Sequence, residues 1–171
     1  RLDQSYKNKI YINYNYIHSN FFSFIKNEFE KKENGRLLYI DVKSTHGLIF
    51  RKKFKSNWRN KQKNNFDNIF GNLCIHYINL FLWLFDDIKL KNNYIENYSK
   101  INKDTSITIL ENKLKNKISI FLSYATVFSK EFMIYFTNSI YVYKNNNLYL
   151  LSPRDTFDNN RLMISPKAKL I

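Results

Sequence analysis

The sequence predicts an α+β domain, a mainly antiparallel open β-sheet with helices packed on one face. Two segments of helical periodicity, 21–30 and 71–85, lie in the first half of the chain. Four short β-branched and aromatic runs then follow at 106–109, 118–124, 132–136 and 140–143. Asn112, Asn116, Asn138 and the asparagines at 145–147 mark turns between those runs, and gaps that short leave no room for crossover helices. Neighbouring strands must therefore pair mainly antiparallel, as a meander. Helices first and strands after is the α+β pattern, with the helices on one sheet face.

Residues 10–16 alternate Ile, Tyr and Asn, which suits a strand. Ser19 is placed to cap a helix in which Phe21, Phe22, Phe24, Ile25 and Phe29 recur at helical spacing. Lys31 and Lys32 suit its negative end, and Asn34-Gly35 supplies the stop. From 36 to 45 the chain alternates, with Leu38, Ile40 and Val42 on one side and Tyr39, Asp41 and Lys43 on the other. Residues 46–62 are polar and basic and read as a long loop, in which Trp58-Arg59 stands out. The tail 152–171, with Pro153 and Pro166, reads as a loop followed by a strand cut short.

A length of 171 residues suits one well-packed domain. The formal net charge is +14, but the cations are scattered among Asn, Ile and Tyr, with short clusters at 31–32, 51–55 and 113–117. Such spreading describes solvated faces better than the continuous stripe that grips nucleic acid. The first residue is Arg1 and no leader is readable, so the chain is expected to be an internal or C-terminal piece of a longer protein. One cysteine, Cys74, excludes an intrachain disulfide and a thiolate zinc site, and a cytoplasmic location is the expectation. The longest apolar run, 71–85, is broken by Asn72, His76 and Asn79, whereas a membrane span needs about 20 mostly apolar residues.

That run carries the main candidate chemistry. At 3.6 residues per turn Asn72, His76, Asn79 and Trp83 fall on one stripe of an otherwise apolar helix. An imidazole there is either a satisfied structural histidine or a proton-exchanging group delivered to a cleft. Asn72, one turn earlier, can orient the ring but cannot stabilise an imidazolium as a carboxylate would. Trp58-Arg59 offers an apolar plane beside a bidentate donor for carboxylate, phosphate or sugar hydroxyls. Cys74 faces another side of the helix and reads as an inert buried thiol; His18 and His46 show no metal-ligand spacing and receive no role. With three glycines the chain holds no Gly-x-Gly-x-x-Gly turn and no phosphate loop of its own.

The order of elements, Trp58-Arg59 and then Gly71-Asn72-Leu73-Cys74-Ile75-His76-Tyr77-Ile78-Asn79 with Trp83-Leu84-Phe85, resembles the Gfo/Idh/MocA oxidoreductases, the glucose-fructose oxidoreductase and inositol dehydrogenase group. The helix is similar to that family's Gly-Asp-x-Gly-x-His-x-x-Asp pattern. The resemblance implies that 1–17 end an N-terminal dinucleotide-binding (Rossmann) domain and that 18–171 form a substrate-binding and dimerisation domain, incomplete at its C-terminus. It also implies NAD or NADP bound mainly by the missing domain, a sugar, nucleotide sugar or polyol substrate, and hydride transfer between the two. By position His76 would be the acid/base or substrate-binding group, with Asn72, Asn79, Trp58 and Arg59 around the substrate. Asn72, Cys74 and Asn79 depart from the Asp, Gly and Asp common there, and no Arg follows Asn15. A degenerate, non-catalytic oligomerisation module is therefore the alternative, with basic nucleic-acid binding behind it. A homo-oligomer is expected through the open sheet face, assigned to Tyr124, Phe132, Tyr135 and Tyr141.

Overall fold

The computed structural model describes residues 14–54, 68–152 and 157–171. Helix α1 spans Asn20–Glu28, strand β1 Leu37–Thr45 and helix α2 Ile75–Phe85, the last entered through a π-turn at Phe70–Cys74. Seven strands follow: β2 (Ile88–Glu96), β3 (Thr105–Asn112), β4 (Lys117–Ser123), β5 (Ser129–Phe136), β6 (Ile140–Lys144), β7 (Asn147–Leu151) and β8 (Ala168–Leu170). They form one eight-stranded sheet in the order β2-β3-β4-β1-β5-β6-β7-β8. The expected α+β class, with an antiparallel open sheet and helices on one face, is what the chain adopts.

The sheet is not a plain meander. β1, first in sequence, lies between β4 and β5, parallel to β4 with Val42 opposite Ile120 and antiparallel to β5 with Val42 opposite Phe132. Its apolar face, Ile40 and Val42, is buried beneath α1 and α2, which contribute Phe22, Ile25, Tyr77, Leu80 and Phe81 to the same core. Strands β3, β4 and β5 add Leu110, Ile118, Ile120, Leu122, Phe132, Ile134 and Phe136. Lys26 of α1 fixes the helices to each other: its ammonium donates to the Trp83 carbonyl at 3.0 Å and lies 4.2 Å from the centre of the Trp83 ring.

Several expectations are corrected. Asn15 and Tyr16 belong to a 3-10 turn, Asn15–His18, not to a strand, and 10–13 lie outside the described residues. Tyr16 turns inward onto Phe22 and Tyr77, a burial that outweighs its strand preference. The loop after β1 begins with two 3-10 turns, Leu48–Phe50 and Lys52–Phe54, pinned by buried Ile49 and Phe54. Of the aromatics expected on the open sheet face, Phe132 and Tyr141 are 1% and 3% exposed in the core beneath the helices, and Tyr124 is buried as well. Side-chain parity decides this, since Phe132 and Tyr135 are three residues apart and must point to opposite faces. Tyr135 alone keeps its place there, its ring 5.7 Å from that of Tyr39.

A buried polar knot ties the end of α1 to the β5–β6 turn. Glu28 is 2% exposed and accepts hydrogen bonds from Tyr141 Oη at 2.6 Å, Lys31 Nζ at 2.5 Å and Asn34 Nδ2 at 3.1 Å. Asn34 in turn accepts from Ser139 Oγ at 2.9 Å. Burial pushes the Glu28 carboxyl up, but the bonds from Lys31, Tyr141 and Asn34 and the Lys31 charge outweigh it and hold the group below its ordinary value. Next to the knot, Gly35 has φ +76°, and a Cβ there would come 1.9 Å from Thr137 Oγ1.

Two outcomes follow. Gly35→Ala combines a left-handed backbone with a clash and should lower stability by about 2–4 kcal/mol in urea unfolding; an unchanged midpoint would show that the turn relaxes freely. Because the folded carboxyl of Glu28 lies below its unfolded value, the stability it adds is complete above about pH 4.3 and is lost as pH falls through the folded value. Glu28→Gln should therefore be less stable than wild type at neutral pH, with the gap closing toward pH 3; a constant gap across that range would exclude the ionised form as the source.

Candidate functional site

The π-turn before α2 is capped by Asn68, whose Oδ1 accepts from the amides of Phe70 at 2.8 Å and Gly71 at 3.3 Å. It delivers His76 half-buried in the first turn of α2, at the end of the sheet where β1 finishes and β5 begins. Tyr14 and Tyr16 present their rings nearly perpendicular to the imidazole, with centroids at 5.9 and 6.2 Å. Tyr16 donates its hydroxyl hydrogen to Tyr77 Oη at 3.2 Å, and Tyr77 is hydrogen-bonded to Ser44 at the end of β1. Burial first, then the neighbouring Tyr16, pushes the Tyr77 phenol far above its ordinary range, so it stays protonated and serves as a fixed post.

Lys130, directly opposite Ser44 across β1 and β5, places its ammonium 4.8 Å from the centre of the Tyr16 ring. Such a contact at a half-exposed site is worth about 0.5–1 kcal/mol. A hydrogen bond to a charged group contributes about 1.5–3 kcal/mol. An incoming anion can therefore outbid the ring for this cation.

Asn72 Nδ2 and Asn79 Oδ1 are shielded from solvent and have no hydrogen-bond partner among the described residues. Buried amide atoms are rarely left so, and these two represent unused donor and acceptor capacity on either side of His76. Trp83, the fourth residue of the stripe, is instead engaged by Lys26. Trp58 and Arg59 lie outside the described residues. Cys74 is buried against Thr108 Oγ1 at 3.7 Å, and burial pushes its thiol up to about 11, as an inert thiol requires. His18 is exposed at the end of its 3-10 turn, and His46 stacks on Tyr124 at 4.7 Å.

Tyr14, Tyr16, Ser44, Tyr77 and Lys130 were not singled out by their residue types. Tyr14 and Tyr16 share the 10–16 alternation that reads as a strand, and Lys130 is one lysine among many. Among the described residues no cluster of His, Cys, Asp and Glu could hold a metal, and no helix is long and apolar enough to cross a membrane. The described residues do not build a glycine-rich dinucleotide site. Gly35 is packed against Thr137, Gly47 lies against Phe50 in the loop after β1 and Gly71 is in the π-turn, so no glycine pair frames a phosphate-binding turn.

Solved structures share this fold. An inositol dehydrogenase homolog from Azotobacter vinelandii, complexed with NAD+, matches over 93% of this chain and 42% of its own, with 11% identity and a TM-score of 0.71. Levoglucosan dehydrogenase, in complex with NADH and levoglucosan, matches over 85% of this chain and 42% of its own, with 14% identity and a TM-score of 0.67. A Desulfitobacterium hafniense protein assigned as an NADPH-dependent oxidoreductase matches over 94% and 50%, with 15% identity and a TM-score of 0.71. This chain thus spans half or less of the length of each. No curated protein matches it significantly. The family model described as the oxidoreductase family, C-terminal alpha/beta domain, matches residues 30–157, and with that match over most of its length the chain belongs to the Gfo/Idh/MocA oxidoreductase family.

Proposed function

We propose that the chain is the substrate-binding part of a NAD(P)-dependent oxidoreductase acting on a sugar, nucleotide sugar or polyol. The observation that carries this reading is the half-buried imidazole of His76, walled by Tyr14 and Tyr16 and flanked by the unpaired amide atoms of Asn72 and Asn79. Tyrosine ring faces and edges suit the C–H surface of a sugar, and amides suit its hydroxyls. His76 is then positioned to take or give the proton of a reacting hydroxyl, or to hold that hydroxyl in place. Its neighbours have support roles: Asn72 and Asn79 orient substrate or imidazole, and Trp58-Arg59 closes the side of the cleft.

The nicotinamide cofactor belongs to this reading through the family. Its site is assigned to a dinucleotide-binding domain ending at residues 1–17, with 18–171 as the substrate-binding and dimerisation domain. Self-association through the sheet face opposite the helices is supported by the half-buried Tyr39, Phe121, Met133 and Tyr135 and by Ile107, 43% exposed. These replace the core aromatics as the residues of that interface. A non-catalytic relative is the second reading. Asn72 favours it, because an amide where an aspartate is common cannot stabilise an imidazolium.

Reduction of NAD(P) by the full-length protein, measured across neutral sugars, polyols, sugar acids and nucleotide sugars, separates the two. His76→Ala should lower kcat by about 10²–10⁴-fold with the best substrate, the usual range for a positioned acid/base. Full turnover by that variant sinks both roles given to His76, and substrate binding without turnover in wild type establishes the non-catalytic reading.

A further inference from the structure

Five segments surround the end of the domain that holds His76: 14–19, 44–54, 68–79, 96–104 and 124–130. Only 96–104 contains acidic residues, Glu96 and the buried Asp104, whose carboxylate is committed to the amides of Tyr98 and Ser99 and the Thr105 hydroxyl, while the other four together carry Arg51, Lys52, Lys53, Lys130 and all three histidines. The charge is thus not evenly spread at this end, in contrast to the chain as a whole. Elsewhere several lysines pair with a neighbouring carboxylate, as in Lys43–Asp41, Lys91–Glu111 and Lys144–Glu131. Among the described residues neither Lys130 nor Arg51 takes part in an ion pair. Lys130 is half-buried with its ammonium over Tyr16, the ring that also faces His76. Arg51 lines a cavity of about 530 Å³ with His46, Gly47, Leu48 and Phe128, in the loops that leave β1 and enter β5. Phe128 is 74% exposed at its wall, an unusual position for a phenylalanine.

A cation left without a carboxylate beside a candidate sugar site stays available for an anion carried by the ligand. We infer that this end of the domain recognises its sugar through an acidic substituent, a carboxylate or a phosphate, and that Lys130 is the specificity-determining cation. The inference rests on the substrate-binding role proposed for the His76 site and narrows its ligand class. Lys130 stands one ring away from His76, across Tyr16, so it addresses a substituent of the sugar and not the reacting hydroxyl. Arg51 and Phe128 mark where a longer anion would extend, with the guanidinium toward phosphate and the phenyl ring toward a base.

The test uses the full-length protein and pairs each neutral sugar with acidic counterparts: glucose with glucuronate and with UDP-glucose. Wild type should show KM at least tenfold lower for an acidic member, rising with ionic strength, while KM for the neutral sugar stays flat. Lys130→Met should raise KM for the acidic sugar about tenfold more than it raises KM for the neutral one, and Lys130→Arg should restore the difference. Arg51→Ser separates the two sources of the charge: a raised KM for UDP-glucose alone identifies a diphosphate, and no change with glucuronate preferred identifies a carboxylate. Equal, salt-independent KM values for neutral and acidic sugars overturn the inference while leaving the oxidoreductase reading intact. Should no sugar reduce NAD(P), equilibrium dialysis of labelled glucuronate, UDP-glucose and glucose decides the inference by itself. Salt-sensitive retention of an acidic ligand, lost in Lys130→Met, supports it, and equal retention of all three overturns it.

Discussion

β1 is the strand on which the rest of the domain depends. It pairs along its length with β4 on one side and β5 on the other, and it joins a three-stranded half, β2-β3-β4, to a four-stranded half, β5 to β8. Each half is an antiparallel set that local turns could assemble, but only β1 makes them one sheet broad enough to bury α1 and α2. Ile40 and Val42, near the centre of that face, are 1% and 0% exposed. Non-local pairing of this kind closes long loops before it gains contacts, so the domain is expected to fold slowly for its size. The same strand sets the geometry of the site, because Ser44 and the partner position Lys130 lie at its C-terminal end.

Local patterns carried much of this architecture. The alternation in 36–45 and the helical spacing of the phenylalanines in α1 each mark one apolar face; Ile40 and Val42 are buried as expected, whereas Leu38, at the register shift between Leu37 and Tyr39, is 51% exposed. What local pattern could not carry was the insertion of β1 between β4 and β5, since pairing partners more than seventy residues apart leave no periodic signal. β2 was hidden for a different reason. As an edge strand its residues are mostly exposed, so selection for an apolar alternation is weak and Lys89, Lys91, Asn92 and Asn93 read as loop. The misplaced aromatics show that parity must be counted before a face is assigned. Phe132 shares one face of β5 with Ile134 and Phe136, and Tyr141 sits directly opposite Ile134 on β6, so both belong to the core and not to a sticky outer surface.

The candidate site was marked in the sequence at His76 and little beyond it. A histidine, flanked by asparagines at helical spacing in an apolar run, contradicts its surroundings and so stands out. Tyr14, Tyr16, Ser44 and Lys130 do not contradict theirs. They become a site because a 3-10 turn, the ends of two strands and a helix start converge on one end of the sheet. The π-turn matters here as well, since its wider winding shifts Asn72 relative to the 3.6-residue stripe on which it was placed. Trp83, a full two turns into regular helix from His76, ended against α1 and left the stripe's remaining polar members to the cleft end.

On the proposed reading, the proton that His76 would take from a substrate hydroxyl has few places to go. Tyr77 holds its own proton too firmly to pass one on, and its hydroxyl is already committed to Tyr16 and Ser44. Asn72 is an amide, and the buried carboxylate at this end of the sheet, Asp104, is already committed to the amides of Tyr98 and Ser99 and the Thr105 hydroxyl. The remaining acceptor is solvent, which the half-exposed ring can reach. On the same reading, an acidic substituent held by Lys130 lies across the Tyr16 ring from the imidazole, so it anchors the sugar without supplying the charge that would stabilise an imidazolium, and proton exchange at His76 runs to solvent.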